Sequence, residues 1–117
     1  MSSMNTEKRI ETERKVVRHL IRTMKVEGWI VYCIFDGEER VKPLAVTEET
    51  VMDTVFSVEE SSITFKKSGF DKGCVAQIVL GNDGYDCIAD HSYPSEDHEF
   101  VRIMEEKIYP YCDKLSS

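Results

Sequence analysis

The sequence has no long hydrophobic run, no closely spaced cysteine pair, and few histidines, prolines or tryptophans. No apolar stretch approaches the ~20 residues needed to cross a bilayer. The opening MSSMNTEKRIETERK is polar and has no apolar region of the signal-peptide kind. Both features point to a cytoplasmic protein without a membrane partner. The four cysteines, at 33, 74, 87 and 112, form no C-x-x-C pair. In apolar settings and a reducing compartment they read as buried free thiols more readily than as disulfides or a zinc site. There is no H-E-x-x-H, no G-x-S-x-G and no calcium-loop pattern. The glycines of Gly81-Asn82-Asp83-Gly84 are followed by no Gly-Lys-Ser/Thr, so they read as a turn and not as a phosphate cradle. No repeat, linker or low-complexity tract divides the chain. No cofactor is implied.

What is present is a chain of 117 residues, enough for one domain with one core. Its 41% hydrophobic and 32% charged residues suit a folded protein with a well-solvated surface. Charge is spread unevenly. Residues 1–28 hold seven Lys/Arg against four Asp/Glu, whereas the whole chain carries −7. A basic first segment therefore precedes an acidic body.

That first segment has helical periodicity over about residues 5–27, with Ile10, Val17, Leu20, Ile21 and Met24 on one face. Asn5 or Thr6 can cap its start and Gly28 can end it. The other face carries Arg14, Lys15, Arg18, Arg22 and Lys25. These are candidate interaction residues for an acidic partner. The simpler reading is a solvated face that pairs with the protein's own acids. Direct nucleic-acid binding is disfavoured, because the acidic body would repel phosphate.

A sheet is expected over about residues 29–91. Trp29 to Phe35 reads as a strand, Asp36-Gly37 as a turn, and Glu39 to Val46 as a return strand held to an edge by Pro43. Thr47 caps a short helix with Val51, Met52, Val55 and Phe56 as its apolar stripe. Ile63 to Lys67 is a third strand. Cys74 to Leu80 is apolar on both faces, which places it centrally, and it forms a hairpin with Tyr85 to Ala89. A last helix is expected over about residues 95–115, with Pro110 kinking it. The resulting expectation is α+β: a five-stranded antiparallel sheet with two long helices and one short helix packed on one face.

Chemistry is concentrated in DHSYPSEDH, where Asp90, His91, Asp97 and His98 surround a strand-to-helix junction. Two imidazoles beside carboxylates could ligate a metal or serve as acid and base. The seven-residue separation of His91 and His98 across a proline loop matches no tight ligand spacing. Metal binding or a hydrolase-like activity is the alternative reading. A thiol enzyme would need a cysteine beside a base, and Cys87 and His91 are too far apart along an extended strand.

VLGNDGYDCIADHSY at 79–93, followed by the helix ending YCDKL, resembles small uncharacterised α+β proteins of phages and prophages. The resemblance implies a fold and a genomic setting, and no catalytic residue. The function expected is non-catalytic protein binding through an acidic surface, by an accessory protein that pairs with another protein or with a second copy. A sharper form is an inhibitor that occupies a nucleic-acid site on another protein.

Overall fold

Alternation of apolar and polar residues at helical spacing turns the first segment into α1, Thr6–Val26. Asn5, an expected cap, lies outside the described residues. The computed structural model describes residues 6–41, 47–69, 73–92 and 98–116. Gly28 ends α1 with φ +93°, and its N–H donates to the Lys25 carbonyl. Glycine is favoured there because a side chain makes that backbone conformation costly.

The strands are β1 (Trp29–Phe35), β2 (Arg40–Val41), β3 (Glu60–Lys67), β4 (Cys74–Val79) and β5 (Ile88–Ser92). They lie in the order β2-β1-β3-β4-β5, every pair antiparallel. The expected five-stranded sheet under two long helices needs correcting. Four strands of five or more residues form the body of the sheet, and β2 adds only a two-residue ladder at its edge, reaching Ile34 and Phe35. The rest of the expected return strand, residues 42–46, lies outside the described residues. β4 is an interior strand, as its apolar faces suggested, paired with β3 on one side and β5 on the other. β3 is interior too and begins at Glu60, three residues before the expected start at Ile63. The place of β3 is set by topology. The chain leaves β2 through a helix and returns on the far side of β1, so β3 acquires neighbours on both sides. The expected tight turn is also wider, since the ladder resumes only at Ile88.

The helical part differs as well. The short helix α2, Glu48–Val55, is held by a reciprocal box in which the Thr50 N–H donates to Thr47 Oγ1 and the Thr47 N–H to Thr50 Oγ1. The C-terminal helix is not one regular long helix. It runs as α3 (His98–Ile103), a π-helical turn (Met104–Ile108) and α4 (Tyr109–Ser116). The Tyr109 N–H donates to the Met104 carbonyl, five residues back. Pro110 has no N–H to offer Glu106, and its ring crowds that carbonyl. The helix answers by widening just upstream of Pro110, where a kink was expected.

One apolar cluster joins these elements. Val16, Val17, Leu20, Ile21 and Met24 of α1 meet Trp29, Ile34, Ile63, Phe65, Ala76 and Ile78 of the sheet. Val51, Met52 and Val55 of α2, and Phe100, Ile103, Met104 and Ile108 of the C-terminal helix, complete it. Phe100 sits edge-on to Trp29 at 5.5 Å between ring centroids and 6.1 Å from Phe65. Glu27 receives Arg102 and Lys107, which ties the end of α1 to the C-terminal helix. The outer sheet face stays open, with Ile30 60% and Phe35 42% exposed. A bulge in β1 between Val31 and Cys33 shifts the alternation, so that Ile34 points inward beside Ile63.

Ser61 is 4% exposed on the core side of β3, and its hydroxyl has no hydrogen-bond partner among the described residues. A buried hydroxyl without a partner costs stability. Ser61→Ala should leave the urea unfolding midpoint unchanged or raise it, by up to about 1 kcal/mol of stability. Phe100→Ala should instead lower stability by about 3–5 kcal/mol, because it opens a cavity among three aromatic rings.

Candidate functional site

The stripe that seats α1 on the sheet also aims its basic face. Arg14, Arg18 and Arg22 recur every four residues, so they form a row along one side of the helix. That row lies beside α2. The Arg14 guanidinium sits 4.8 Å above the Phe56 ring. Arg18 and Arg22 converge on Glu48, with Arg18 Nε 3.5 Å from Oε2 and Arg22 gripping both carboxylate oxygens. Hydrogen bonding from Arg22 holds the Glu48 carboxyl below the usual carboxylate range, and the charges of Arg22, Arg18 and Lys25 add to this. Lys15 pairs with Glu11 on its own helix. Lys25 stands apart, for it makes no ion pair among the described residues. Most of the basic face is thus engaged within the chain. Glu48, the partner of this row, was not singled out from the sequence.

Glu13 was also missed, and it is the most deeply buried acid described, at 1% exposure. Its Oε2 accepts the Gly81 N–H at 2.7 Å, and its Oε1 lies 3.6 Å from Arg9 Nε. The loop between β4 and β5 is thereby fastened to α1. Gly84 closes the same contact. Its φ is +99°, and a Cβ there would lie 3.1 Å from Thr12 Cβ and 3.2 Å from the Arg9 carbonyl oxygen. The glycine pair read as turn chemistry therefore also lets a loop lie flat on a helix.

The metal and acid–base candidates do not converge. Asp90 and His91 are neighbours on β5 and project to opposite faces. Asp90 pairs across the ladder with exposed Gln77, whereas His91 pairs with buried Ala76. The Asp90 carboxylate bends back to accept the His91 N–H at 2.8 Å. That contact satisfies a backbone group on an edge strand. His91 Nδ1 lies 2.7 Å from the Tyr109 hydroxyl, and its ring packs near Phe100. Burial pushes the Tyr109 hydroxyl up to about 12, so it stays protonated at neutral pH. Asp97 lies outside the described residues, and so does the side chain of His98. Among the described residues no group of three His, Cys, Asp or Glu is placed to hold a metal ion.

The cysteines are all free and buried. Burial pushes the Cys87 thiol strongly upward and the Cys112 thiol to about 11. A thiol so raised is a poor nucleophile at neutral pH. The sequence did not single out His19. Its Nε2 donates to the Lys107 carbonyl at 2.9 Å, and its ring stacks on Tyr111 at 4.0 Å. This contact ties α1 to the widened turn of the C-terminal helix.

The acidic residues do gather. At one end of the sheet the β1–β2 turn meets the start of β3, because Phe35 is in register with Ser62. Asp36, Glu38, Glu59 and Glu60 line a hollow of about 520 Å³ there. Asp36 accepts the N–H groups of Glu39 and Glu38 at 2.9 and 3.0 Å, which closes the turn and keeps its carboxyl below the usual range. Glu38, Glu39, Glu59 and Glu60 make no ion pair among the described residues. Exposed Phe35 borders the same end.

No protein-family model, curated protein or solved structure matches this chain. The geometry alone therefore bears on function. No helix among the described residues is long and apolar enough to cross a membrane.

Glu48 contributes stability in proportion to its depressed carboxyl. A lowered folded-state value means that the contribution is present above the ordinary value of 4.5 and is lost as pH falls below it. Glu48→Gln should lower stability by about 1 kcal/mol near neutral pH, as expected for a partly exposed charge network. The gap in urea midpoint between the two proteins should close on acidification below 4.5. A second measurement concerns the thiols. Native protein should react with a thiol reagent such as Ellman's far more slowly than unfolded protein, with Cys87 the slowest of the four.

Proposed function

We propose that the protein is a non-catalytic binding protein that holds a basic segment of another protein at the acidic end of its sheet. The observation behind this reading is the meeting of Asp36, Glu38, Glu59 and Glu60 from two separate segments around one hollow. Unpaired carboxylates this close repel one another, and a cationic partner relieves that repulsion. Exposed Phe35 beside them offers apolar contact to the stem of a lysine or arginine. The cytoplasmic, phage or prophage setting belongs to this proposal, on the strength of the C-terminal resemblance. A partner that normally grips nucleic acid through such a basic segment fits it, which is the inhibitor form of the reading. Self-association through the basic face of α1 has less support, because Arg14, Lys15, Arg18 and Arg22 already have partners in the chain. The metal or hydrolase alternative has less support still, given the divergence of Asp90 and His91.

A short Lys/Arg-rich peptide carrying a fluorophore serves as the probe, with binding read by anisotropy. Affinity should fall at least ~10-fold between about 50 and 300 mM salt, as screening sets in. The combined Glu38→Gln, Glu59→Gln and Glu60→Gln variant should bind about 10-fold more weakly, at a few tenths to 1 kcal/mol per exposed pair. A control variant with Glu7, Glu11 and Glu105 changed to Gln removes the same charge elsewhere and should bind nearly as well as the native protein. Equal weakening in both variants would mean that only net charge matters, and the proposed site would be rejected.

A further inference from the structure

A second concavity lies where the C-terminal half of α1, the start of β1 and the first turn of α2 come together. Its volume is about 320 Å³, at the lower end of the range for small-molecule sites. Its floor is Ile21, Trp29, Val31, Val51 and Phe65, all buried, and exposed Ile30 stands at its rim. Arg22, Lys25 and Glu48 stand at its polar side.

The charge at this mouth does not balance. Glu48 is the only carboxylate among the lining residues, and Arg22 and Arg18 already share it. Lys25 remains, with no ion pair among the described residues, close enough for its charge to help hold the Glu48 carboxyl down. The first turn of α2 does not provide an obvious anion site, because Thr47 and Thr50 occupy each other's N–H groups. Lys25 is therefore an exposed ammonium at the rim of an apolar pocket. Such a pairing favours a ligand with one negative head and a hydrocarbon body. A doubly charged phosphate would exceed the one lysine without an ion pair among the described lining residues, and would have to be desolvated beside Glu48.

From this we infer that the pocket binds a small organic monoanion, a carboxylate on a short aliphatic body, with its head at Lys25 and Arg22 and its tail against Ile21 and Ile30. This site is separate from the acidic end of the sheet, and neither requires the other.

Trp29 is the chain's single tryptophan, so its emission reports directly on the pocket. Octanoate titrated into the full chain should change Trp29 emission saturably, with matching heat in calorimetry. Octanol has a similar tail without the charge and should bind at least ~10-fold more weakly, which corresponds to one charge-assisted contact. Octylamine, with the opposite charge, should not saturate. Lys25→Gln alters an exposed position on α1 and should reduce octanoate to the level of octanol, while leaving the basic-peptide affinity unchanged. The inference is overturned if neither signal saturates with octanoate, if octanol or octylamine matches it, or if Lys25→Gln binds octanoate as the native protein does. Loss of peptide binding at the acidic end would instead count against the proposed function and would leave this pocket standing.

Discussion

The seating of α1 on the inner face of the sheet is the constraint from which the rest of the structure follows. Val16, Val17, Leu20, Ile21 and Met24 can be buried only if the helix lies on the inner face of the sheet at one rotation about its axis. Burying five such side chains is worth on the order of 10 kcal/mol before the entropy of ordering is set against it. No surface ion pair competes with that scale. The rotation is therefore set by the apolar stripe, and the charged residues occupy whatever positions remain. Arg14, Arg18 and Arg22 fall beside α2, Glu13 falls beneath the β4–β5 loop, and Glu27 faces the C-terminal helix.

This ordering of effects explains why the basic face is mostly spent. A row of arginines on an isolated amphipathic helix would be an open electropositive ridge. Here α2 supplies Glu48 and Phe56 along the same row, and the ridge becomes part of an internal joint. The charge left to face a partner is then the opposite one. It sits where two turns approach at the end of the sheet, on backbone that Asp36 fastens through its own hydrogen bonds. Lys25 is the exception in this basic set: its charge acts on the shared carboxylate, but it forms no ion pair among the described residues and borders an apolar pocket.

Much of the architecture was readable in advance, and the misreadings have physical causes. Gly28 as a stop, Thr47 as a cap and Val51, Met52 and Val55 as a buried stripe each depend on local chemistry, and each is found. The C-terminal helix was legible as helical, but its widened turn was not. Pro110 announces a disturbance without saying whether the backbone will bend or expand. The strand from Cys74 looked central because both of its faces are apolar, and it does lie between β3 and β5, with Val75 and Val79 on the half-open outer face. Asp90 and His91 looked like one cluster because they are adjacent in sequence, whereas a pleated strand sends neighbours to opposite sides.

The sequence by itself determined the local elements: which segments coil, which extend, where glycine or threonine ends or starts them, and which side of each is greasy. These depend on interactions within a few residues, so a string of letters contains them. Only the tertiary structure decided which charges meet. Glu13 and Gly81 are joined across the fold, as are Arg22 and Glu48, and as are the acids of the β1–β2 turn and those that open β3. Such encounters depend on how the apolar faces stack, and that is a property of the whole chain and of no segment within it.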